Sequence, residues 1–189
     1  TTARRLPARE YQVIDAYFFH FFTESASAEA LGCAGEELRP QRDRIRAELG
    51  VPEKSCVILF CGRLSKEKSP LHLLEAYRRV ALPHKALVFV GDGDLSETLQ
   101  DYVARHNLDS VYFFGFQNRR EVPKFYAISD LLVLPSRRET WGIVVNEAMC
   151  FGLPVIVSDQ VGAGKDLVRH GYNGFGFAQG NVAELAGTI

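Results

Sequence analysis

Five short apolar runs recur along the chain, each ending in a turn or polar loop, and the first four are followed by a segment long enough for a helix. They are SCVILFC at 55–61, KALVFV at 85–90, SVYFFGF at 110–116, DLLVLPS at 130–136 and PVIVSD at 154–159. A parallel strand pair needs a crossover of a dozen residues or so, and the spacing between these runs supplies it. The pattern therefore predicts an α/β fold, a doubly wound parallel sheet. Val57–Phe60 and Leu131–Leu134 are apolar at every position, as strands covered by helices on both faces are. In such sheets ligands bind beyond the carboxyl ends of the strands. The loops at 62–69, 91–94, 115–119, 135–142 and 158–166 are thus where function is sought.

Composition narrows the function classes. The 22 Lys and Arg against 23 Asp and Glu leave a net charge of −1, so no bulk attraction to nucleic acid or anionic membrane is expected. The longest uninterrupted apolar run, Cys56 to Cys61, is far short of the ~20 residues that span a bilayer. The chain opens on Thr1 with no signal-like apolar stretch, and it reads as a piece of a longer protein. Cys33, Cys56, Cys61 and Cys150 show no metal-ligand spacing and read as reduced structural thiols, so the expected location is the cytoplasm, including the inner face of a membrane for the longer protein. Residues 1–50 fall outside the strand–helix rhythm and are read as an N-terminal appendage. It holds an aromatic patch, Tyr17 to Phe22, and a charged helix within 37–53 that Gly50 and Pro52 end. Residues 51–189 form the sheet domain.

Two stretches carry candidate chemistry. In SRRETWGIVVNEAMCFG at 136–152, Glu139 precedes a helix expected to begin near Trp141 or Gly142, and Glu147 lies about a turn and a half inside it, roughly 8 Å along the axis. That spacing suits an extended ligand whose anionic middle rests on the free N–H groups of the helix start, with hydroxylated groups at either end. The alternatives are a favourable charge near a helix start for Glu139 and a solvated helix residue for Glu147. The loop GRLSKEKSP at 62–70 places Arg63, Lys66 and Lys68 at the end of the first strand, which suits a diphosphate needing donors from several directions.

CGRLSKEKSPLHLLEAY, GDGDL, YFFGF, LLVLPSRRETWGIVVNEAMCFGLPVIVSD and HGYNGFGF stand in the order and spacing seen in family 4 glycosyltransferases, and over about residues 46–189 the chain resembles their donor-binding half. The resemblance implies the C-terminal, Rossmann-like half of a GT-B fold, with the N-terminal acceptor domain absent from this sequence. It implies transfer of a hexose from a nucleoside-diphosphate sugar, such as a UDP- or GDP-sugar, with retention and with no cofactor or metal. Arg63 and Lys68 match the pair gripping the donor diphosphate. Glu139 matches the glutamate beside the transferred sugar, and these three are the catalytic candidates. Glu147 matches the residue accepting hydrogen bonds from ribose. The backbone of Trp141, Gly142, Ile143 and Val144 would face phosphate and sugar, and Phe116 with Gln117 would frame the base. Where the family commonly has two adjacent glycines and a Glu, this chain has Gly162-Ala163-Gly164-Lys165-Asp166. The acceptor, whether lipid, polysaccharide or small molecule, is not specified. Two other readings stay open: a nucleotide-binding module without catalysis, and a GT-B sugar-nucleotide epimerase.

Two motifs are set aside. Asp92-Gly93-Asp94 mimics a metal-holding Asp-x-Asp, but it follows a strand and reads as a turn, with Asp94 and Glu97 forming a capping box on the next helix. Gly162-Ala163-Gly164-Lys165 lacks the third glycine of a dinucleotide fingerprint and the Ser or Thr of a P-loop. Five scattered histidines with no i,i+4 pair make a metal site unexpected.

Overall fold

The computed structural model describes residues 34–189. The aromatic segment Tyr17 to Phe22 and Cys33 lie outside the described residues. A short 3-10 turn, Arg39–Gln41, leads into α1 (Arg42–Glu48). Thereafter strands and helices alternate: β1 (Cys56–Cys61), α2 (Pro70–Arg79), β2 (Lys85–Val90), α3 (Ser96–Arg105), β3 (Val111–Phe113), α4 (Val122–Ile128), β4 (Leu131–Leu134), α5 (Ile143–Cys150), β5 (Val155–Ser158), α6 (Gly162–Leu167), β6 (Gly174–Phe177) and α7 (Val182–Thr188).

All strand pairs are parallel, and the sheet order is β3-β2-β1-β4-β5-β6. Alternate strand residues enter two separate cores. Val57, Leu59, Val88, Leu132, Leu134, Val155 and Val157 pack with residues of α1, α4 and α5. Ile58, Phe60, Leu87, Phe89, Val133 and Ile156 pack on the other face with residues of α2, α3 and α7. Both faces are therefore dry, which is why the strands read as continuous apolar runs rather than as alternating ones. The chain reverses its direction of growth between β1 and β4. The loops after those two strands leave the sheet on opposite sides and open a crevice at their carboxyl ends.

Two expectations need correction. A sixth strand, β6, extends the sheet beyond β5. Glycine at alternate positions in Gly174-Phe175-Gly176-Phe177 hides it from an apolar count. The capping box on α3 does not form: the cap position is Leu95, with no side-chain hydrogen bond. Instead Asp92 Oδ1 accepts from the Gly93 N–H at 2.7 Å and the Ser96 hydroxyl at 2.5 Å, so the acidic side chain that pins the turn is Asp92 rather than Asp94.

Helix α1, in the segment read as an appendage, is docked on the sheet domain. Ile45 and Val51 are buried in the first core. Arg46, 1% exposed, donates to the carbonyls of Ile128 (2.6 and 2.9 Å), Glu53 (2.6 Å) and Ser55 (3.0 Å) and pairs with Asp130 at 3.0 Å. Asp130 also accepts from Arg42 at 2.7 Å and from the Val57 N–H at 2.8 Å. A buried guanidinium is tolerated when its donors are matched in this way.

Candidate functional site

The β1–α2 loop and the β4–α5 loop meet across the crevice. The backbone N–H groups of Arg137 and Arg138 donate to the carbonyl of Glu67 at 2.7 and 3.3 Å, which ties the loops together. The next residue of the first loop, Lys68, forms an ion pair with Glu139 of the second. Two residues 71 positions apart in sequence are thus brought together at the point where the sheet order switches. Arg63, in the same loop as Lys68, is mostly in solvent and lies 3.7 Å from Asp94. An exposed pair of that length holds a side chain only weakly, leaving the guanidinium able to turn.

Glu139 is held from the other side by the β5–α6 loop. Its N–H donates to the Gln160 carbonyl at 3.3 Å, its carbonyl accepts from Gly162 at 3.1 Å, and the Trp141 carbonyl accepts from Ala163 at 2.8 Å. Gly162 passes so close to Thr140 that a Cβ there would lie 2.0 Å from the Thr140 carbonyl oxygen. Ala163, the departure from two adjacent glycines, is fully buried without such a clash. The glycine that this close approach requires is the first of the pair, which the chain keeps.

Helix α5 starts at Gly142, with φ of +95° and no side-chain cap, and its first turn holds no acidic residue. The Val145 N–H turns back to the Gly142 carbonyl, while helix geometry leaves the Ile143 and Val144 N–H groups without intrahelical partners. The positive end of the helix dipole is therefore presented beside the Lys68–Glu139 pair. Trp141 is positioned by its indole N–H, which donates to the Asn146 side chain at 2.9 Å. Further along α5, Glu147 is half-buried rather than solvated. Its carboxylate accepts a 2.7 Å hydrogen bond from the Tyr126 hydroxyl. Burial raises the Glu147 carboxyl above its ordinary value, and the Tyr126 hydrogen bond and the charge of Arg119 partly oppose this.

The remaining candidates lie on the β3 side. Gly115 accepts from the Gly91 N–H at 2.8 Å, and the chain then presents Phe116, 80% exposed, about two strand spacings or ~10 Å from β1. Gln117 donates its side-chain amide to the Phe114 carbonyl at 2.7 Å. Tyr126 was not among the sequence candidates, because a tyrosine inside an amphipathic helix gives no sign of the acceptor it will meet. Among the described residues, no group of three or more His, Cys, Asp or Glu could hold a metal ion. None of their helices is long and apolar enough to cross a membrane.

The family of glycosyl transferases group 1 matches residues 41–189, most of the chain. The chain belongs to the group 1 glycosyltransferases. It is 38% identical over 149 residues to the sulfoquinovosyl transferase of Arabidopsis thaliana, covering 77% of this chain and 28% of that one. It is 34% identical over 133 residues to the UDP-Gal:alpha-D-GlcNAc-diphosphoundecaprenol alpha-1,3-galactosyltransferase of Escherichia coli, covering 67% and 34%. Among solved structures it is similar to Anabaena HepE in complex with UDP, with a TM-score of 0.71, 32% identity and coverage of 78% of this chain and 41% of that one. This glycosyltransferase chain thus spans about a third of the length of the curated relatives it matches. Its sheet is the GT-B C-terminal fold.

Proposed function

We propose that this chain is the donor-binding half of a family 4, retaining glycosyltransferase that moves a hexose from a nucleoside diphosphate, UDP foremost, to an acceptor. The observation that carries the reading is the convergence of Lys68, Glu139 and the uncapped start of α5 in the crevice between β1 and β4. HepE has been solved with UDP and with UDP-glucose, which supports UDP as the nucleotide tried first.

In this reading Lys68 and the α5 N–H groups neutralise the diphosphate, and Arg63 swings from Asp94 to join them. As the bond from the anomeric carbon to the β-phosphate oxygen breaks, negative charge grows on that phosphate, where preorganised donors stabilise it most. The acceptor oxygen bonds to the anomeric carbon from the same face, and its proton passes to the leaving phosphate oxygen. Glu139 orients the sugar and need not bond to it. Glu147 accepts from the ribose hydroxyls, and Phe116 with Gln117 frames the base. These cations do the charge work of a metal, so no cofactor is required. The reading includes a separate N-terminal domain that supplies the acceptor site, a cytoplasmic location, and no transfer by this chain alone, because closure between two domains excludes water and positions the acceptor.

Nitrogen-15 amide spectra recorded while UDP-glucose is added test the assignment. Saturable shifts centred on Lys68, Glu139, Trp141 to Val144 and Glu147 are expected. Shifts confined to other loops would overturn it.

A further inference from the structure

We propose that Tyr126 is a positioning residue for nucleotide binding, holding the Glu147 carboxylate in place and in its charged form. This rests on the proposed ribose contact of Glu147 and extends it by one residue. Tyr126 sits on α4, is fully buried, and packs its ring on Phe151 with centroids 5.5 Å apart. Its hydroxyl donates to Glu147 at 2.7 Å, and the Cys61 thiol at the end of β1 lies near enough to act electrostatically on both. The phenol oxygen of α4 is thus tied to the carboxylate of α5. The charged or titratable groups facing Glu147 are Tyr126 from α4, Cys61 from β1 and Arg119 from the β3–α4 loop.

The chemistry gives this contact a direction. A carboxyl group accepts with both oxygens, and with the strength of a charge-assisted bond, only when ionised, and burial works against ionisation. A phenol donor favours the charged form and fixes one oxygen, leaving the other lone pairs aimed at solvent and ligand. Burial raises the Cys61 thiol to about 11, so it stays neutral and the phenol proton is not drawn away toward a thiolate. Removing the hydroxyl while keeping the ring should raise the Glu147 pKa further and let its side chain wander, with packing on Phe151 intact.

The test is a double-mutant cycle on UDP affinity with Tyr126→Phe, Glu147→Gln and both together, each measured by calorimetry across pH and checked for folding by circular dichroism. Tyr126→Phe should weaken UDP about ten-fold near neutral pH, move the acid limb of binding to higher pH, and leave pyrophosphate affinity unchanged. In the Glu147→Gln background the same change should have almost no effect. An equal loss from Tyr126→Phe in both backgrounds, or a lowered melting temperature with an unmoved pH limb, would make Tyr126 merely structural and overturn the inference. If Glu147→Gln binds UDP as the unaltered chain does, the ribose contact itself fails. If Glu147→Gln weakens UDP and Tyr126→Phe does not, the inference alone fails.

Discussion

Replacing Lys68 by Met removes the ammonium group while keeping much of the side-chain volume, and the structure separates its two consequences. Glu139 loses its cation. Breaking a fully buried pair costs about 3–5 kcal/mol, but 26% of the Lys68 side chain and 15% of the Glu139 side chain are in water. Screening on that scale reduces the cost to roughly 1–2 kcal/mol, or about 2–8 °C in Tm for a domain of this size. Binding is a separate matter. A charge-assisted contact to a diphosphate is worth about 1.5–3 kcal/mol, so UDP should bind roughly 10- to 150-fold more weakly. Uridine, which carries no phosphate, should bind nearly as before. Adding Glu139→Gln to Lys68→Met removes the stranded charge, so Tm should recover while UDP affinity stays low. Thermal denaturation and calorimetry with UDP and uridine read both quantities. Equal losses for UDP and uridine, or wild-type UDP affinity in Lys68→Met, would refute the assignment of Lys68 to the diphosphate.

Other outcomes follow from the same geometry. Burial pushes the Asp130 carboxyl up, but the hydrogen bonds from Arg42 and the Val57 N–H, with the charges of Arg42 and Arg46, outweigh it and hold its pKa below the ordinary 3.8. Its contribution is therefore present above the unfolded value and lost as pH falls through the folded one; in Asp130→Asn, urea denaturation between about pH 5 and pH 2 should lose that part of the acid dependence. Glu147 has the opposite sign, since its raised pKa disfavours the ionised folded state at neutral pH. Glu147→Gln should accordingly match or exceed the unaltered chain in Tm at pH 7 while binding UDP more weakly. Gly142→Ala forces a side chain onto φ of +95° with its Cβ 3.0–3.2 Å from Leu134, Val161 and Glu139; a loss of about 1–3 kcal/mol in denaturant titration, with weakened UDP binding, is expected.

The parts of this fold legible from sequence are those governed by local pattern. Runs such as Val57–Phe60 announce buried parallel strands because nothing polar can face a helix layer, and their spacing dictates the crossovers. The loops at strand ends then follow from topology. What pattern cannot carry is pairing at a distance. Arg46 reads as a surface charge on a charged helix until the carbonyls of Ile128, Glu53 and Ser55 are placed around it. The Glu-x7-Glu spacing picks out Glu147 as a ligand contact, but nothing local says that α4 brings the Tyr126 hydroxyl to its carboxylate. The Asp94–Glu97 capping box was a local reading that lost to an equally local competitor, the Asp92 turn closed by Ser96. The strand at Gly174–Phe177 was lost because its glycines remove the apolar signal while its backbone still pairs with β5.

Titrating UDP into the chain in EDTA, and repeating the titration with Mg²⁺, bears on the whole reading of a crevice whose own cations replace a metal. Saturable binding in EDTA, little changed by Mg²⁺ and abolished for the diphosphate when Arg63 and Lys68 are both replaced, is the expected result. Binding that appears only with Mg²⁺ would contradict it and return Asp92 and Asp94 as metal ligands.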